Sequence, residues 1–279
     1  SEKVHMIKRR IIAAVTVKNG IVVQSFDFSR YLPVGKPEIV VEALNHWNAD
    51  EILLVDIDAA RNRRCIDPDL VHRISKRCFV PLTVGGGITT SAEISSLLRS
   101  GADKVLINSH ALSEPSIITQ AAQYYGNQCV IAGIDCKLSP HGEYYVYDHI
   151  RKAVTEKKVI DWALELQELG AGEILLNSVD RDGTKKGYDL KILRDLGKKL
   201  SVPLIACGGV GHPNHFKEAW PYSEISALAA GNFFQFSEHS VTTTKAFLEM
   251  NQISMLRLDE ELKYTDFEAA LKLYFLFGG

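Results

Sequence analysis

An internal repeat constrains the fold of this chain more than any other feature. The segment "ADEILLVDIDAA" begins at Ala49, and "AGEILLNSVDRD" begins 122 residues later, at Ala171. The same offset relates "VPLTVGGGI" from Val80 to "VPLIACGGV" from Val202, and "KVLINSH" from Lys104 to the apolar run "ISALAAGN". A fourth pair, "VTVK" and "IDCK", is separated by 119 residues. Four strand-like segments that recur in the same order indicate a chain built from two similar halves.

Amphipathic stretches of helical length lie between these strand-like segments. Examples are "PEIVVEALNHWN", "SAEISSLLRSG", "PSIITQAAQYYG", "VIDWALELQELG" and "DLKILRDLGKKL". Apolar strands that alternate with helices indicate a parallel sheet, because each parallel connection needs a crossover. Eight strands in two equal halves predict an α/β fold, a (βα)8 TIM barrel made of two half-barrels. The strands are predicted to start near Ile11, Ile52, Pro81, Val105, Val130, Ile174, Pro203 and Ile225.

We expect the barrel to occupy residues 1–256. Residues 257–279 are then a C-terminal extension, in which "FEAALKLYFLF" is predicted to form a short helix. Its apolar side chains would pack on the barrel or on another subunit.

The composition excludes several classes of partner. The chain has 279 residues, is 46% hydrophobic and has a formal net charge of -2, which gives no reason to expect nucleic acid or an anionic membrane. No apolar run reaches the roughly 18 residues of a membrane span, and the N-terminus lacks an apolar signal-peptide core. The five cysteines form no CxxC pair and predict reduced thiols in a cytoplasmic protein. No residue spacing suggests a metal, and we expect no cofactor.

Two glycine runs predict anion sites, because "VGGGI" ends the third strand and "CGGVG" ends the seventh. Glycine lets backbone N–H groups approach a phosphate, and the following helix adds its positive N-terminal end. Each run adjoins the end of the next strand. The two groups are Gly86, Gly87, Asn108 and Ser109, and Gly208, Gly209, Gly231 and Asn232. Tight turns alone could explain one run, but two at symmetric positions predict a phosphorylated small-molecule ligand with a phosphate at each end.

Acidic residues cluster at the same strand ends, where TIM barrels hold their chemistry. Asp135 follows four apolar residues and is therefore placed by a strand, which predicts a catalytic general acid or base. Asp56, Asp180 and Asp182, together with Lys18, are predicted to contact the substrate. Asp58 also ends strand two, and the dipeptide at residues 182–183 could instead form a simple turn.

A second group of charges lies at the opposite ends of the strands. Arg10, Glu51, Lys104 and Glu173 each stand at the start of a strand, and the two glutamates are twins under the repeat. Ordinary surface charge at loop–strand junctions is one interpretation. The other is a ring of two cations and two anions that closes the floor of the barrel and admits a small polar molecule.

These motifs resemble one family over about residues 8 to 256. The segments "RRIIAAVTVKNG", "FVPLTVGGGI", "GADKVLINS", "GIDCK" and "VPLIACGGVG" are similar to the cyclase subunit of imidazole glycerol phosphate synthase, called HisF. The resemblance implies that a HisH-like glutaminase docks at the floor as the partner in a heterodimer. Its ammonia would pass the charged gate and react with a bisphosphorylated ribonucleotide at the mouth. The resemblance also adds Gly183 to the phosphate-binding residues and Asp103 to the glutaminase interface.

Two positions depart from the family pattern. The first strand of the family ends in a catalytic Asp, and Thr16 stands in that position here. A hydroxyl cannot exchange a proton near neutral pH as a carboxylate does. Gln24 stands where the flexible first loop of the family has a lysine.

Three functions therefore remain open from the sequence. HisF-like paralogues associated with sugar amidation also tend to lack the first Asp and share "KNG" and an "RY…VG" run with "SRYLPVGKP". This resemblance implies ammonia supply for an N-acetyl sugar of surface polysaccharides, with a sugar amidotransferase as a further partner. One alternative is the cyclase of histidine biosynthesis, which an assay of cyclase activity would distinguish. The other is a non-catalytic scaffold or regulator of a glutaminase, which would deliver no ammonia.

Overall fold

The structure, a computed structural model, describes residues 8–26, 28–235, 238–259 and 262. The strands are β1 Arg10–Lys18, β2 Ile21–Phe26, β3 Arg30–Gly35, β4 Glu51–Asp56, β5 Leu82–Gly85, β6 Lys104–Ile107, β7 Val130–Leu138, β8 Tyr144–Asp148, β9 Ala153–Lys158, β10 Glu173–Ser178, β11 Leu204–Cys207 and β12 Ile225–Ala230. The helices are α1 Pro37–His46, α2 Pro68–Ser75, α3 Ser91–Arg99, α4 Ser109–Ser113, α5 Ser116–Tyr125, α6 Val159–Glu168, α7 Leu190–Gly197, α8 Pro213–Ala219 and α9 Ser240–Met250.

Eight parallel strands close into a barrel in the order β1, β4, β5, β6, β7, β10, β11 and β12. Each strand pairs in parallel with the next, and β12 returns to β1 with Arg10 opposite Ala227. The predicted (βα)8 barrel is confirmed. Every predicted strand start lies within one residue of the observed start, because long apolar runs mark strands that are buried on both faces.

Two β-hairpins rise from the carboxyl ends of twin strands. The hairpin β2–β3 follows β1, and the hairpin β8–β9 follows β7, all with antiparallel pairing. The sequence analysis did not predict them. Their outer strands, β3 and β9, are largely exposed and lack a regular apolar alternation. The hairpins extend the barrel wall above its mouth, so side chains carried by them can reach the space over the strand ends.

The apolar core has two layers, as a barrel requires. The inner layer fills the barrel with Ile12, Leu53, Leu106, Ile131, Leu175, Ile205, Ala227 and Ala229. The outer layer lies between strands and helices, and Trp162 and Phe216 are among its largest fully buried side chains. The barrel is therefore a packed body with polar groups concentrated at its two ends.

Local signals fix where the helices begin. Thr90 and Glu93 form a reciprocal capping box at α3, in which each side chain accepts a hydrogen bond from the other residue's backbone N–H. Asp67 caps α2 in front of a proline in the first turn. These caps end the loops that follow β4 and β5, so they also set the length of the loops at the mouth.

Leu256 pairs with Arg9 beside β1 in an isolated parallel bridge. The predicted helix "FEAALKLYFLF" lies outside the described residues. Within the part of the chain that the structure describes, no helix has the length and apolar character needed to cross a membrane.

We predict that a buried ion pair below β1 is critical for stability. Lys245 on α9 is 1% exposed and donates to Asp50 Oδ1 at 2.8 Å, while Asp50 Oδ2 accepts from the Ile11 N–H at 2.7 Å. Lys245→Met should lower the free energy of unfolding by about 3–5 kcal/mol, because it leaves a buried carboxylate unpaired. Adding Asp50→Asn should recover part of this loss. Urea unfolding measures both, and a loss below about 1 kcal/mol in the single variant would contradict the prediction.

Candidate functional site

A cavity of about 520 Å³ opens at the carboxyl ends of the barrel strands. Its lining includes these residues singled out in the sequence: Thr16, Lys18, Asp56, Asp58, Gly86, Gly87, Asn108, Ser109, Asp135, Asp182, Gly183, Gly208, Gly209, Gly231 and Asn232. Asp180 is not in the lining and instead accepts from the Leu138 N–H at 2.7 Å. The structure thus brings residues from both halves of the repeat to one mouth.

Asp135 is a buried carboxylate in this mouth. It lies in the second half of β7 and is 6% exposed. The side-chain amide of Asn108 donates to Oδ2 at 2.9 Å, and that of Asn177 donates to Oδ1 at 3.0 Å. Both oxygens therefore keep a partner, which offsets the cost of burying the charged group.

Thr16 lies on β1 and lines the same cavity. It is half-buried, opposite Val23 of β2 and Val55 of β4 in the sheet register. Its hydroxyl can donate or accept a hydrogen bond, but it carries no proton that is exchangeable near neutral pH. The wall formed by β1 therefore offers polarity at this position without acid–base capacity.

The two glycine runs take up equivalent backbone conformations. Gly87 has φ +64° and Gly209, its twin, has φ +94°. A Cβ atom at Gly87 would lie 1.8 Å from the Arg64 carbonyl oxygen, and one at Gly209 would lie 2.2 Å from the Gly187 carbonyl oxygen. Glycine is required at both positions by conformation and by close packing, and both glycines line the cavity.

The two asparagines predicted beside these runs are already engaged through their side chains. Asn108 donates to Asp135, as described above. Asn232 Oδ1 accepts from the Ser25 N–H at 2.9 Å, and its amide donates back to the Ser25 carbonyl oxygen, which fixes the hairpin β2–β3 to the end of β12. An anion at either place would therefore contact backbone N–H groups rather than these amides.

Most of the remaining acids hold the loops of the mouth. Asp56 accepts from Arg64 Nη1 at 2.7 Å and from two backbone N–H groups. Asp58 accepts from Lys18 Nζ at 2.8 Å and from the Asn19 N–H. Asp182 accepts from the Ser25 hydroxyl at 2.9 Å. These contacts tie the loop after β4 and the first hairpin to the barrel.

Several further groups line the cavity that were not predicted from the sequence. Arg61, Arg63 and Arg64 follow β4 in the run "ARNRRC", a signal of cationic character that the sequence does carry. His149 enters the cavity from the turn after β8 and lies 3.4 Å from Asp135, measured from Nδ1 to Oδ2. It has no signal in the sequence, because its position depends on the second hairpin.

The pKa values of His149 and Cys207 are among those displaced at the mouth. Burial disfavours the imidazolium of His149, but the hydrogen bond and the charge of Asp135 outweigh it and raise the pKa of His149 above its ordinary 6.5. Burial, with the charges of Asp182 and Asp135, raises the pKa of the Cys207 thiol to about 12. Cys207 is therefore a neutral thiol at physiological pH and offers no thiolate nucleophile.

Gln24 lies on β2, is 8% exposed and is not among the cavity-lining residues. The departure from the family pattern at this position therefore places a neutral buried side chain in the hairpin instead of a cation.

The opposite floor of the barrel carries the four predicted charges as one connected group. Arg10 donates to Glu51 at 2.9 Å and to Glu173, and Lys104 donates to Glu173. Glu51 Oε2 is buried and lies 3.8 Å from Lys104 Nζ, beyond hydrogen-bond distance. Three of the four contacts around the ring are thus hydrogen bonds, and the fourth, between Lys104 and Glu51, is an ion pair alone.

The two cations of the ring stabilise the ionised form of Glu173. Burial would raise the pKa of Glu173, but hydrogen bonds and charges from Arg10 and Lys104 outweigh it and lower that pKa below its ordinary value. Glu173 therefore stays ionised at physiological pH, although it is only 7% exposed. Asp103 lies at the same end of the barrel, is exposed and accepts from the Leu82 N–H at 2.8 Å.

Comparisons with known proteins identify the family. The family described as "Histidine biosynthesis protein" matches residues 10–240. The imidazole glycerol phosphate synthase subunit HisF of Bacillus cereus is 40% identical over 240 residues, covering 86% of this chain and 95% of that protein. The chain belongs to the HisF family.

Other relatives cover even more of the chain. HisF of Alkaliphilus metalliredigens is 41% identical over 252 residues, which is 90% of this chain and all of that protein. The hisF2 protein of Vibrio vulnificus, which is named provisionally as a subunit of the same synthase, is 41% identical over 264 residues. That alignment covers 95% of this chain and 96% of the Vibrio protein.

We predict that two anions bind at the mouth of this HisF relative, one at each glycine run. Sulfate titration followed by NMR should resolve two sites, at Gly86–Gly87 and at Gly208–Gly209. Gly209→Ala should weaken the second site by about tenfold or more, the equivalent of one hydrogen bond to a charged group, and spare the first.

Gly35→Ala is the matched control. Gly35 has no positive φ, and an added Cβ atom would meet only Val40 at 3.8 Å. Equal weakening in the two variants, or no perturbation at either glycine run, would contradict the prediction.

Proposed function

We propose that this chain is the HisF-type synthase subunit of a glutamine amidotransferase, and that it takes ammonia from a HisH-like glutaminase bound at its floor. We further propose that the ammonia serves the amidation of an N-acetyl sugar in surface polysaccharide biosynthesis, with a sugar amidotransferase as a third partner. The observation that carries this proposal is the pairing of an intact charged ring at the floor with Thr16 in place of the first acid at the mouth.

The floor supports a role in passing ammonia. Four charged side chains with little exposure contribute little to stability, because desolvation opposes their mutual attraction. The contact between Lys104 and Glu51 lies beyond hydrogen-bond distance, at 3.8 Å, and is the weakest side of the ring. A movement of the Lys104 side chain would open the ring toward the barrel interior without breaking a backbone hydrogen bond.

The mouth supports a reaction that differs from the family's ring closure. The two glycine runs, proposed to bind the phosphates together with Gly183, are both present. Asp135 is present and held by two amides, whereas Thr16 supplies no acid.

The second candidate function is the cyclase step of histidine biosynthesis. It is favoured by the names of the Bacillus and Alkaliphilus relatives, both subunits of imidazole glycerol phosphate synthase at 40–41% identity. The two candidates share the glutaminase and the floor, and they differ in what the mouth does with ammonia.

Cyclase turnover with ammonium chloride should separate the candidates, because free ammonia bypasses the glutaminase. We expect imidazole glycerol phosphate formation about 10²–10⁴-fold slower than in a HisF with Asp at the first strand, since that is the usual contribution of a general acid–base group. Turnover equal to such a HisF would favour histidine biosynthesis. Thr16→Asp in the same assay measures how much of the deficit this position explains.

Lys104→Met should uncouple the two active sites. The methionine keeps the apolar stem of the side chain but removes the cation from Glu173, so the floor loses its closure while the barrel stays folded. With a HisH-like glutaminase bound, glutamine hydrolysis should continue while less of its ammonia reaches the acceptor. The measurement is the ratio of aminated product to glutamate formed.

Lys36→Met is the charge-matched control for this experiment. Lys36 is exposed at the start of α1, outside both the ring and the cavity lining. If Lys104→Met delivers ammonia as the parent chain does, the floor is not the passage. If no glutaminase co-purifies with the chain, the synthase proposal itself fails, and a chain that binds a glutaminase without delivering ammonia is a scaffold.

A further inference from the structure

His149 occupies the mouth on the side of the second half-barrel. Its Nδ1 lies 3.4 Å from Asp135 Oδ2, and the Ser109 hydroxyl oxygen lies 3.4 Å from each ring nitrogen. Its side chain is 23% exposed and borders the cavity, so it is mostly dehydrated yet open to a ligand. A histidine in contact with a buried carboxylate, with a hydroxyl beside its second ring nitrogen, has the arrangement of a general acid–base pair.

The backbone of His149 is fixed from two directions. Arg61 Nη2 donates to the His149 carbonyl oxygen at 2.8 Å, which joins the loop after β4 to the second hairpin. On the other side, Asp148 Oδ1 accepts from the N–H groups of Ile150 and Arg151 at 2.9 and 3.1 Å, which closes the turn in which His149 lies. The imidazole is therefore held in place before any ligand binds.

Three charged groups act on His149, and they come from three elements. Asp135 of β7 and Asp148 of β8 favour the imidazolium, whereas Arg61 from the loop after β4 disfavours it. The balance raises the pKa of His149 above 6.5, which brings the proton exchange of this group closer to neutral pH. Because the pKa of His149 is higher in the folded state, its protonation stabilises the fold. This contribution is fully present below pH 6.5 and is lost as the pH rises through the raised pKa.

We propose that His149 is the proton-transfer group that this mouth retains, and that Asp135 is its positioning partner. The inference rests on the proposed function and deepens it, because it assigns the acid–base chemistry of the synthase reaction. In the HisF pattern the two acids end β1 and β7. Here both groups lie on the β7 side, where the hairpin β8–β9 places a base next to Asp135.

The proton step follows from this geometry. Neutral His149 directs its Nδ1 proton toward Asp135 Oδ2, 3.4 Å away, and its Nε2 electron pair is shared only with the Ser109 hydroxyl, which a ligand can displace. The nitrogen of ammonia adds to an acceptor carbon that is double-bonded to a heteroatom. Its electron pair forms the C–N bond, and the π pair moves to the heteroatom. Nε2 takes one proton from the new ammonium nitrogen and returns it to the heteroatom, so the imidazole ends the step unchanged.

The test uses the bisphosphorylated ribonucleotide of the family with saturating ammonium chloride, and it measures kcat, KM and their pH dependence. His149→Asn keeps a donor toward Asp135 but removes the base. It should lower the residual kcat by about 10²-fold or more, with a smaller change in KM, because the proton transfer belongs to the chemical step. The limb of the pH–rate profile that belongs to His149 should disappear.

Asp135→Asn separates positioning from a purely structural role. It removes the carboxylate that raises the pKa of His149, so the limb should move to lower pH. His141→Asn is the matched control, since His141 is exposed in the turn between β7 and β8 and does not line the cavity. It should match the parent chain in rate and profile.

Each outcome decides the question. If the ribonucleotide binds and His149→Asn has the rate and profile of the parent, the inference is wrong while the synthase proposal stands. If the ribonucleotide binds and the parent forms no product, His149 is not a proton-transfer group in this mouth. If isothermal titration finds no ribonucleotide binding, the bisphosphate site of the proposed function fails, and the assignment of His149 falls with it.

Discussion

The parallel hydrogen-bond ladder between β12 and β1 closes the sheet, and the functional layout of the molecule depends on that closure. Because all eight barrel strands run in one direction, their carboxyl ends meet at a single mouth and their amino ends meet at a single floor. The 122-residue repeat then gives each end a matched pair of residues, with Gly87 and Gly209 at the mouth and Glu51 and Glu173 at the floor. One topological constraint thus produces two polar ends separated by the apolar inner layer of the barrel.

The barrel could be predicted from the sequence because its strands are buried on both faces. A segment such as "EILLVD" can form only a strand or a buried helix, and its brevity and its repeat settle the choice. The hairpins could not be predicted by the same reasoning. Strand β9, "AVTEKK", has no buried residue, and β3 has none either, so nothing in their hydrophobic pattern distinguishes them from loops. They exist because β2 and β8 offer edges on which they can pair.

The residues of the site differ in the same way in how far they could be predicted from the sequence. Asp135 and the glycine runs follow directly from strand ends, and the structure places them in the mouth where the sequence predicted them. The contact partners of those residues could not be predicted from the sequence. Asn177 and His149 reach Asp135 from 42 and 14 residues away along the chain, through contacts that only the closed barrel and the second hairpin create. In the same way, nothing in the sequence indicated that Asp56 accepts a hydrogen bond from Arg64, or that Asp58 accepts one from Lys18.

The two ends of the barrel carry different kinds of constraint. At the floor, Arg10 is hydrogen-bonded to both Glu51 and Glu173, so its loss would leave the buried Glu51 with only the 3.8 Å contact to Lys104. At the mouth, Asp135 is satisfied by two amides whether or not a second acid stands across from it, so Thr16 at the end of β1 costs the fold nothing. The acid–base chemistry of the mouth can therefore change by substitutions in one strand and one hairpin while the floor stays the same. A barrel of this design can keep the charged ring at its floor while the residues at its mouth change.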